Sequence, residues 1–331
     1  MHIFYPSGHI RHCPVSEIEN GEAIAHEEVP ERVERLKAAL VASGRVVEDV
    51  SVTVPQAVVA RVHTHQYLKT LEKVAASATN VQIPSVFPYG GHTKSNFLRA
   101  EFGAISFDTY TPVFKGTFKA AMESASCAYA GARSLLRGNH YAYAICRPPG
   151  HHAGPSYMGG YCYINNAAVA AQVLSTHGRV AIIDVDFHHG NGTQDIFYDR
   201  SDVLFTSLHA DPSWKFPYFT GRANERGVGK GKGYTRNYPL SKGTDDRAYD
   251  ATLVRALTYI RTFHPKFLVV SLGFDTHVDD PIGGFRLTTG YYQQMAKRLM
   301  GLGIPTVFVQ EGGYNTSALG GNAVSFFSDI S

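Results

Sequence analysis

The chain has 331 residues, of which 44% are hydrophobic and 18% charged, with a formal net charge of +3. That balance suits a globular core and excludes a disordered polyelectrolyte; the one basic stretch, GKGKGYTR, is short and glycine-diluted like a loop, so no nucleic-acid partner is expected. No apolar run approaches the roughly 20 residues that cross a bilayer, the N-terminal MHIFYPSGHIRH lacks a signal-peptide core, and Cys13, Cys127, Cys146 and Cys162 follow no CxxC spacing. A cytoplasmic protein with reduced thiols and no membrane partner is expected.

In chain order, Ile3–Tyr5 reads as a first strand. PERVERLKAALVASG follows as a helix, with Pro30 at its first position and Gly44 as its stop. Thr79–Thr117 is rich in Gly, Pro, Ser, Thr and aromatics, with weak periodicity, and is too long for a routine connection. Its aromatics (Phe87, Tyr89, Phe97, Phe102, Phe107, Tyr110 and Phe114) predict an ordered excursion packed on something, a second subunit included. Short apolar runs at Ala142–Cys146, Val180–Val185, Val203–Leu208, Phe267–Leu272 and Thr306–Val309 read as parallel strands covered on both faces. Between them, NAAVAAQVLSTHG (capped by Asn165 or Asn166), AYDATLVRALTYIRTF and TGYYQQMAKRLMGLG carry helical patterns. The alternation predicts an α/β fold around a mainly parallel sheet, one domain spanning residues 1–331 with an insertion at 79–117.

The chemistry concentrates in VAIIDVDFHHGN, Val180–Asn191. Side chains alternate along an extended segment, so Asp184, Asp186 and His188 point one way. Carboxylates and imidazole at the end of a buried strand need a cation, and an Asp/His set suits zinc, with iron(II) and cobalt(II) as alternatives. In open α/β sheets the site gathers at the strands' carboxyl ends. There the loops supply His151 and His152 (RPPGHHAG), His209 and Asp211, Asp275 (GFDTHVDDP), and Glu311 and Tyr314 (QEGGYN). Asp186, His188 and Asp275 provide three ligands and leave open positions, as catalysis requires; Asp184, one pleat deeper, orients its neighbours. A neutral histidine as base, a histidine as acid and a tyrosine hydroxyl facing an oxyanion describe amide hydrolysis. Taken singly, His151 and His152 also read as loop histidines bonded to backbone, and Asp275 as a cap.

The motifs RPPGHHAG, GGYCYINNAAVAA, DVDFHHGNGTQDIFY, SLHADP, VSLGFDT and EGGY resemble the histone deacetylase superfamily, most closely its acetylpolyamine amidohydrolase branch. The likeness covers nearly the whole chain. It implies an arginase–deacetylase fold with an eight-stranded parallel sheet and catalytic zinc on Asp186, His188 and Asp275. It makes His152 the general base, His151 its electrostatic partner and Tyr314 the carbonyl-polarising hydroxyl. Asp184 would orient His151 and, with Ser207 and main-chain oxygens, bind a structural potassium. Asn191 stands where many relatives carry an Asp beside the second histidine, which implies altered tuning of His152. Tyr161 and Phe216 match aromatic channel walls, and Arg32 a residue near an internal acetate pocket. The insertion falls where this branch builds a homodimer and narrows its channel. Glu17 matches an acidic position suited to a cationic amine; Glu101 and Asp108 are further candidates. The expected activity is zinc-dependent deacetylation of acetylpolyamines or similar small amines. The alternatives are a protein acetyl-lysine deacetylase, an arginase-like ureohydrolase and a non-catalytic acetyl-amine binding module.

Overall fold

The structure is a computed structural model that describes residues 1–88 and 97–330. Its strands in chain order are β1 (His2–Tyr5), β2 (Ser16–Glu19), β3 (Glu22–Ala25), β4 (Val47–Asp49), β5 (Tyr141–Ala144), β6 (Val180–Asp184), β7 (Val203–Ala210), β8 (Thr235–Leu240), β9 (Phe267–Leu272) and β10 (Thr306–Gln310). The helices are α1 (Glu31–Ala42), α2 (Gln56–Val59), α3 (His65–Ser77), α4 (Leu98–Ala104), α5 (Thr117–Leu136), α6 (Asn166–Ser175), α7 (Asn191–Phe197), α8 (Asp246–Phe263), α9 (Thr289–Met300) and α10 (Thr316–Phe327). Eight strands form one parallel sheet in the order β4-β1-β5-β10-β9-β6-β7-β8, while β2 and β3 pair as a separate antiparallel hairpin.

Strand alternation divides the interior into two cores. On β6, Val180 and Ile182 face the helices α2, α3, α5 and α6, while Ala181 and Ile183 face α1, α8, α9 and α10. Both faces are thus covered, which is why the central strands read as continuous apolar runs. The two strands of this sheet that the sequence pattern leaves unmarked are its edges. β4 is three residues long, and β8 (TRNYPL) carries Arg236, Asn237 and Pro239, as edge strands tolerate.

The hairpin β2–β3 was also unmarked, although its signal is present. Asn20 and Gly21 form its two-residue loop with φ of 51° and 87°, the paired left-handed conformation that favours Asn-Gly. Within the 79–117 insertion, Gln82 and Val113 bridge antiparallel, α4 follows, and Ser106 bridges Met158. Tyr89 lies outside the described residues. Helix α5 begins as the insertion ends, its alanine-rich face buried against β5 and β10.

The order of the strands decides where the site lies. β5, β10, β9, β6 and β7 are consecutive neighbours, so the loops that follow them open side by side at one end of the sheet.

Candidate active site

Strand pairing on β6 stops at Asp184, yet the alternation continues: Val185 and Phe187 enter the core while Asp186 and His188 turn to the opposite side. There they meet Asp275 from the loop after β9. His188 Nδ1 lies 3.0 Å from Asp275 Oδ2 and 3.5 Å from Asp186 Oδ1. All three side chains are buried, and their ligand atoms fall within 4.8 Å of one another. The remaining lone pairs are held by backbone: Gly312 N–H donates to Asp186 Oδ2 at 2.8 Å and Phe187 N–H to Asp275 Oδ1 at 3.0 Å. Two carboxylates and an imidazole nitrogen around one buried point fit a divalent cation of the zinc class. Glycines keep that point open: a Cβ on Gly312 would sit 2.4 Å from Asp275 Oδ2 and 2.7 Å from Asp186 Oδ2.

The loop after β5 brings two histidines alongside, their ring centroids 4.0 Å apart. His152 Nδ1 donates to Asn191 Oδ1 at 2.6 Å, which leaves its Nε2 lone pair free. Burial, His151 and His188 push its pKa well down, so His152 is neutral and able to take a proton. His151 Nδ1 lies 3.0 Å from Asp184 Oδ2. Burial opposes charge on His151, but Asp186 and Asp184 outweigh it and raise its pKa to about 10. Adjacent groups with oppositely shifted protonation are the arrangement acid–base chemistry uses. The loop itself is held by Glu311, whose Oε2 accepts from Gly150 N–H at 2.7 Å and His151 N–H at 3.1 Å.

After β10, Tyr314 enters the same space, with its backbone N–H on Asp280 Oδ2 at 2.7 Å. Its ring meets the Tyr161 ring edge-on at 5.6 Å, and the Arg32 guanidinium lies 4.5 Å from its centroid. Burial raises the phenol's pKa well above the ordinary range, so it remains a donor. Arg32 is itself buried, donating to the carbonyls of Glu311 and Gly313 and to Glu28. Asp184 pairs in register with Ser207, whose hydroxyl lies 2.7 Å from His209 Nδ1.

His152, His188 and Tyr314 form the floor of a cavity of about 360 Å³ walled by Tyr161, Phe216 and Tyr110. Phe216 meets His152 edge-on at 5.1 Å. Tyr161, at φ 66°, is held in the left-handed region, a cost of order 1–3 kcal/mol that sites of this kind store. Its hydroxyl donates to Glu17 Oε1 at 2.9 Å.

The histone deacetylase domain family matches residues 26–330. The chain belongs to the histone deacetylase family. It is 44% identical over 274 residues to acetylpolyamine amidohydrolase 2 of Pseudomonas aeruginosa, covering 80% of each chain. It is 39% identical over 341 residues to the acetylpolyamine amidohydrolase of Mycoplana ramosa, covering 100% of this chain and 99% of that one. Among solved structures, acetylpolyamine aminohydrolase from Burkholderia pseudomallei superposes with a TM-score of 0.95 at 38% identity, covering 99% of this chain and 98% of that one. The eight-stranded sheet is accordingly the arginase–deacetylase fold.

In this member of the histone deacetylase family the mouth is more acidic than the sequence pattern indicated. Glu17, Glu19 and Glu27 all line the cavity, delivered by the β2–β3 hairpin and the segment after it, with Lys215 as a cationic neighbour. Burial, Glu17 and Asp280 raise the Glu27 pKa, the signature of crowded carboxylates. The Asn20-Gly21 turn was the signal that could have located Glu19 and Glu27. Two further acidic candidates lie elsewhere. Asp108 is buried, accepting from Gly160 N–H at 2.6 Å and Tyr110 N–H at 3.2 Å, so it supports the channel wall. Glu101 borders a different cavity, with Lys73 and Leu98. Cys162 is buried beside His151 and Glu311, its thiol donating to Gly160 O.

Proposed function

We propose that this protein is a metal-dependent amidohydrolase that removes acetyl groups from acetylpolyamines or similar small linear amines, releasing acetate and free amine. The observation that carries the reading is a single cavity lined both by His188 of the Asp186–His188–Asp275 set and by three glutamates. An acetylated polyamine is amide at one end and ammonium at the other, and the cavity has that polarity. The names of the similar enzymes from Pseudomonas, Mycoplana and Burkholderia point the same way.

Zinc held by Asp186, His188 and Asp275 would polarise the acetamide carbonyl and acidify a water, and iron(II) or cobalt(II) suits the same donors. His152 takes the water's proton at Nε2, its other nitrogen being committed to Asn191. Asn191 is neutral, so it orients the ring without the extra basicity a carboxylate would confer. The Tyr314 hydroxyl donates to the oxyanion as the carbonyl carbon becomes tetrahedral. His151, kept cationic by Asp184 and Asp186, supports the charge that develops, and the departing amine leaves with a proton returned from the histidine pair.

Asp184 and Ser207, adjacent across β6 and β7, are assigned to a structural potassium with neighbouring main-chain oxygens. Tyr161 and Phe216 flank the acyl-amine chain, and Glu17, Glu19 and Glu27 receive its cationic end. The insertion narrows the entrance: Phe107 stacks on Phe216 at 5.7 Å, and Tyr110 meets Phe216 at 6.1 Å. Val86, Phe87 and Phe97 expose apolar surface on the same insertion, which supports a homodimer closing over the mouth. No described helix is long and apolar enough to cross a membrane, and the cysteines are free, in keeping with a cytoplasmic enzyme.

The deciding test is kcat/KM of the zinc-loaded enzyme on acetylputrescine, acetylcadaverine, acetylspermidine and an acetyl-lysine peptide. Preference for the free amines supports the assignment. Preference for the peptide would replace it with a protein deacetylase.

A further inference from the structure

Behind the channel wall lies a second convergence of ligand-type atoms that the catalytic reading does not use. His12 follows the short 3-10 turn Ser7–Arg11, His26 follows β3, and Glu28 precedes α1. His12 Nε2, His26 Nε2 and Glu28 Oε2 are all buried and have no hydrogen-bond partner among the described residues. These same residues place their ligand atoms within 4.8 Å of one another, and His12 Nε2 lies 4.0 Å from Glu28 Oε2. A buried polar atom left unpaired costs about 1–3 kcal/mol. Three such atoms lie close enough together to share one ligand.

We propose that His12, His26 and Glu28 form a second, buried metal site for a divalent cation of the zinc class. The outer contacts of each ligand are those of a metal-bound side chain. His26 Nδ1 lies 2.6 Å from Glu17 Oε2, and a carboxylate only accepts, so His26 donates from Nδ1 and leaves Nε2 as the atom without a partner. This is the carboxylate–histidine–metal relay. His12 Nδ1 is engaged by the Thr117 hydroxyl at 2.9 Å. Glu28 has its Oε1 taken by Arg32 at 2.6 Å and Arg147 at 3.0 Å, so Oε2 is its one free oxygen.

A tetrahedral zinc site has ligand–ligand edges of roughly 3.3 Å. A metal there draws His12 Nε2 and Glu28 Oε2 closer than their present 4.0 Å, and water completes the set. The two arginines repel a cation, so this site is weaker than the catalytic one and empties first. Its occupant also matters to the channel, because His26 holds Glu17, and Glu17 holds the hydroxyl of Tyr161.

The test is anomalous diffraction at the zinc edge on crystals of the zinc-loaded full chain, with metal content measured alongside. Two zinc equivalents per chain are expected, with one anomalous peak at the catalytic set and one between His12, His26 and Glu28. Graded chelation removes the second peak first. His12→Gln, which keeps a polar side chain beside Glu28, loses that peak and one equivalent but retains the catalytic zinc. A wild-type crystal with a single anomalous peak at the catalytic set, and an ordered water at the cluster, overturns the proposal. That result needs no variant to fold.

Discussion

At the residue scale the site depends on groups that cannot exchange roles. Tyr314 lines the cavity together with His152 and His188, so Tyr314→Phe is expected to keep the metal and cut kcat by about 10²–10³-fold. Near-normal turnover would remove Tyr314 from the mechanism. Asp275→Ala takes away a ligand; metal analysis should find the catalytic equivalent missing, and full occupancy would refute the ligand assignment. A subtler case is Gly312, which contributes no ligand. Its missing side chain leaves room for Asp275 and Asp186, a Cβ there falling 2.4 Å from the Asp275 carboxylate. Gly312→Ala should therefore weaken metal binding in competition with a chelator while the fold survives; unchanged affinity would show that the carboxylates can retreat. The candidates themselves were legible in DVDFHHGN and EGGY because an apolar strand ending in charged residues is costly without a purpose. The Asn20-Gly21 turn marks the hairpin that carries Glu19 and leads to Glu27, but their place at the cavity mouth and the burial of His26 were not legible, because nothing local distinguishes such residues from exposed counterparts.

At the element scale, the loops around the site are fastened by side chains from outside it. His63, just before α3, is buried, with Nδ1 donating to Gly154 O at 2.8 Å and Nε2 accepting from Asn165 N–H at 2.9 Å. Asn165 in turn caps α6 through Ala168 N–H. Both bonds require neutral His63, and burial holds its pKa at about 4 against an ordinary 6.5. The unfolded chain therefore takes up a proton between these values and the folded chain does not. Stability from this group is present above pH 6.5 and falls as the pH drops towards about 4, by about 3 kcal/mol in full. Urea unfolding at pH 7 and pH 4.5 should show His63→Gln losing less on acidification than wild type; equal losses would sink the assignment. Element boundaries divide along the same physical line. The central strands and amphipathic helices declare themselves by covering two cores, whereas β4 and β8 have one neighbour each and carry residues any loop could hold.

At the scale of the whole molecule, the parallel sheet turns five separate loops into one site, and the insertion places Tyr110 in its cavity wall. If the insertion also builds the dimer, deleting Thr79–Thr117 should give a folded monomer by sedimentation with a wider substrate range. A folded deletion variant that stays dimeric would place the interface elsewhere. The sequence by itself determined the α/β class and the family, and it named Asp186, His188, Asp275, His151, His152 and Tyr314 as the candidate set that the fold brings together. Those follow from chemistry adjacent along the chain: apolar runs with period-two exposure, and polar residues clustered at their ends. Only the tertiary structure decided which acids reach the channel, that Asp108 serves the wall, and that His12, His26 and Glu28 share one buried point. Such meetings join residues from different elements, and the packing that creates them leaves no periodicity in the sequence.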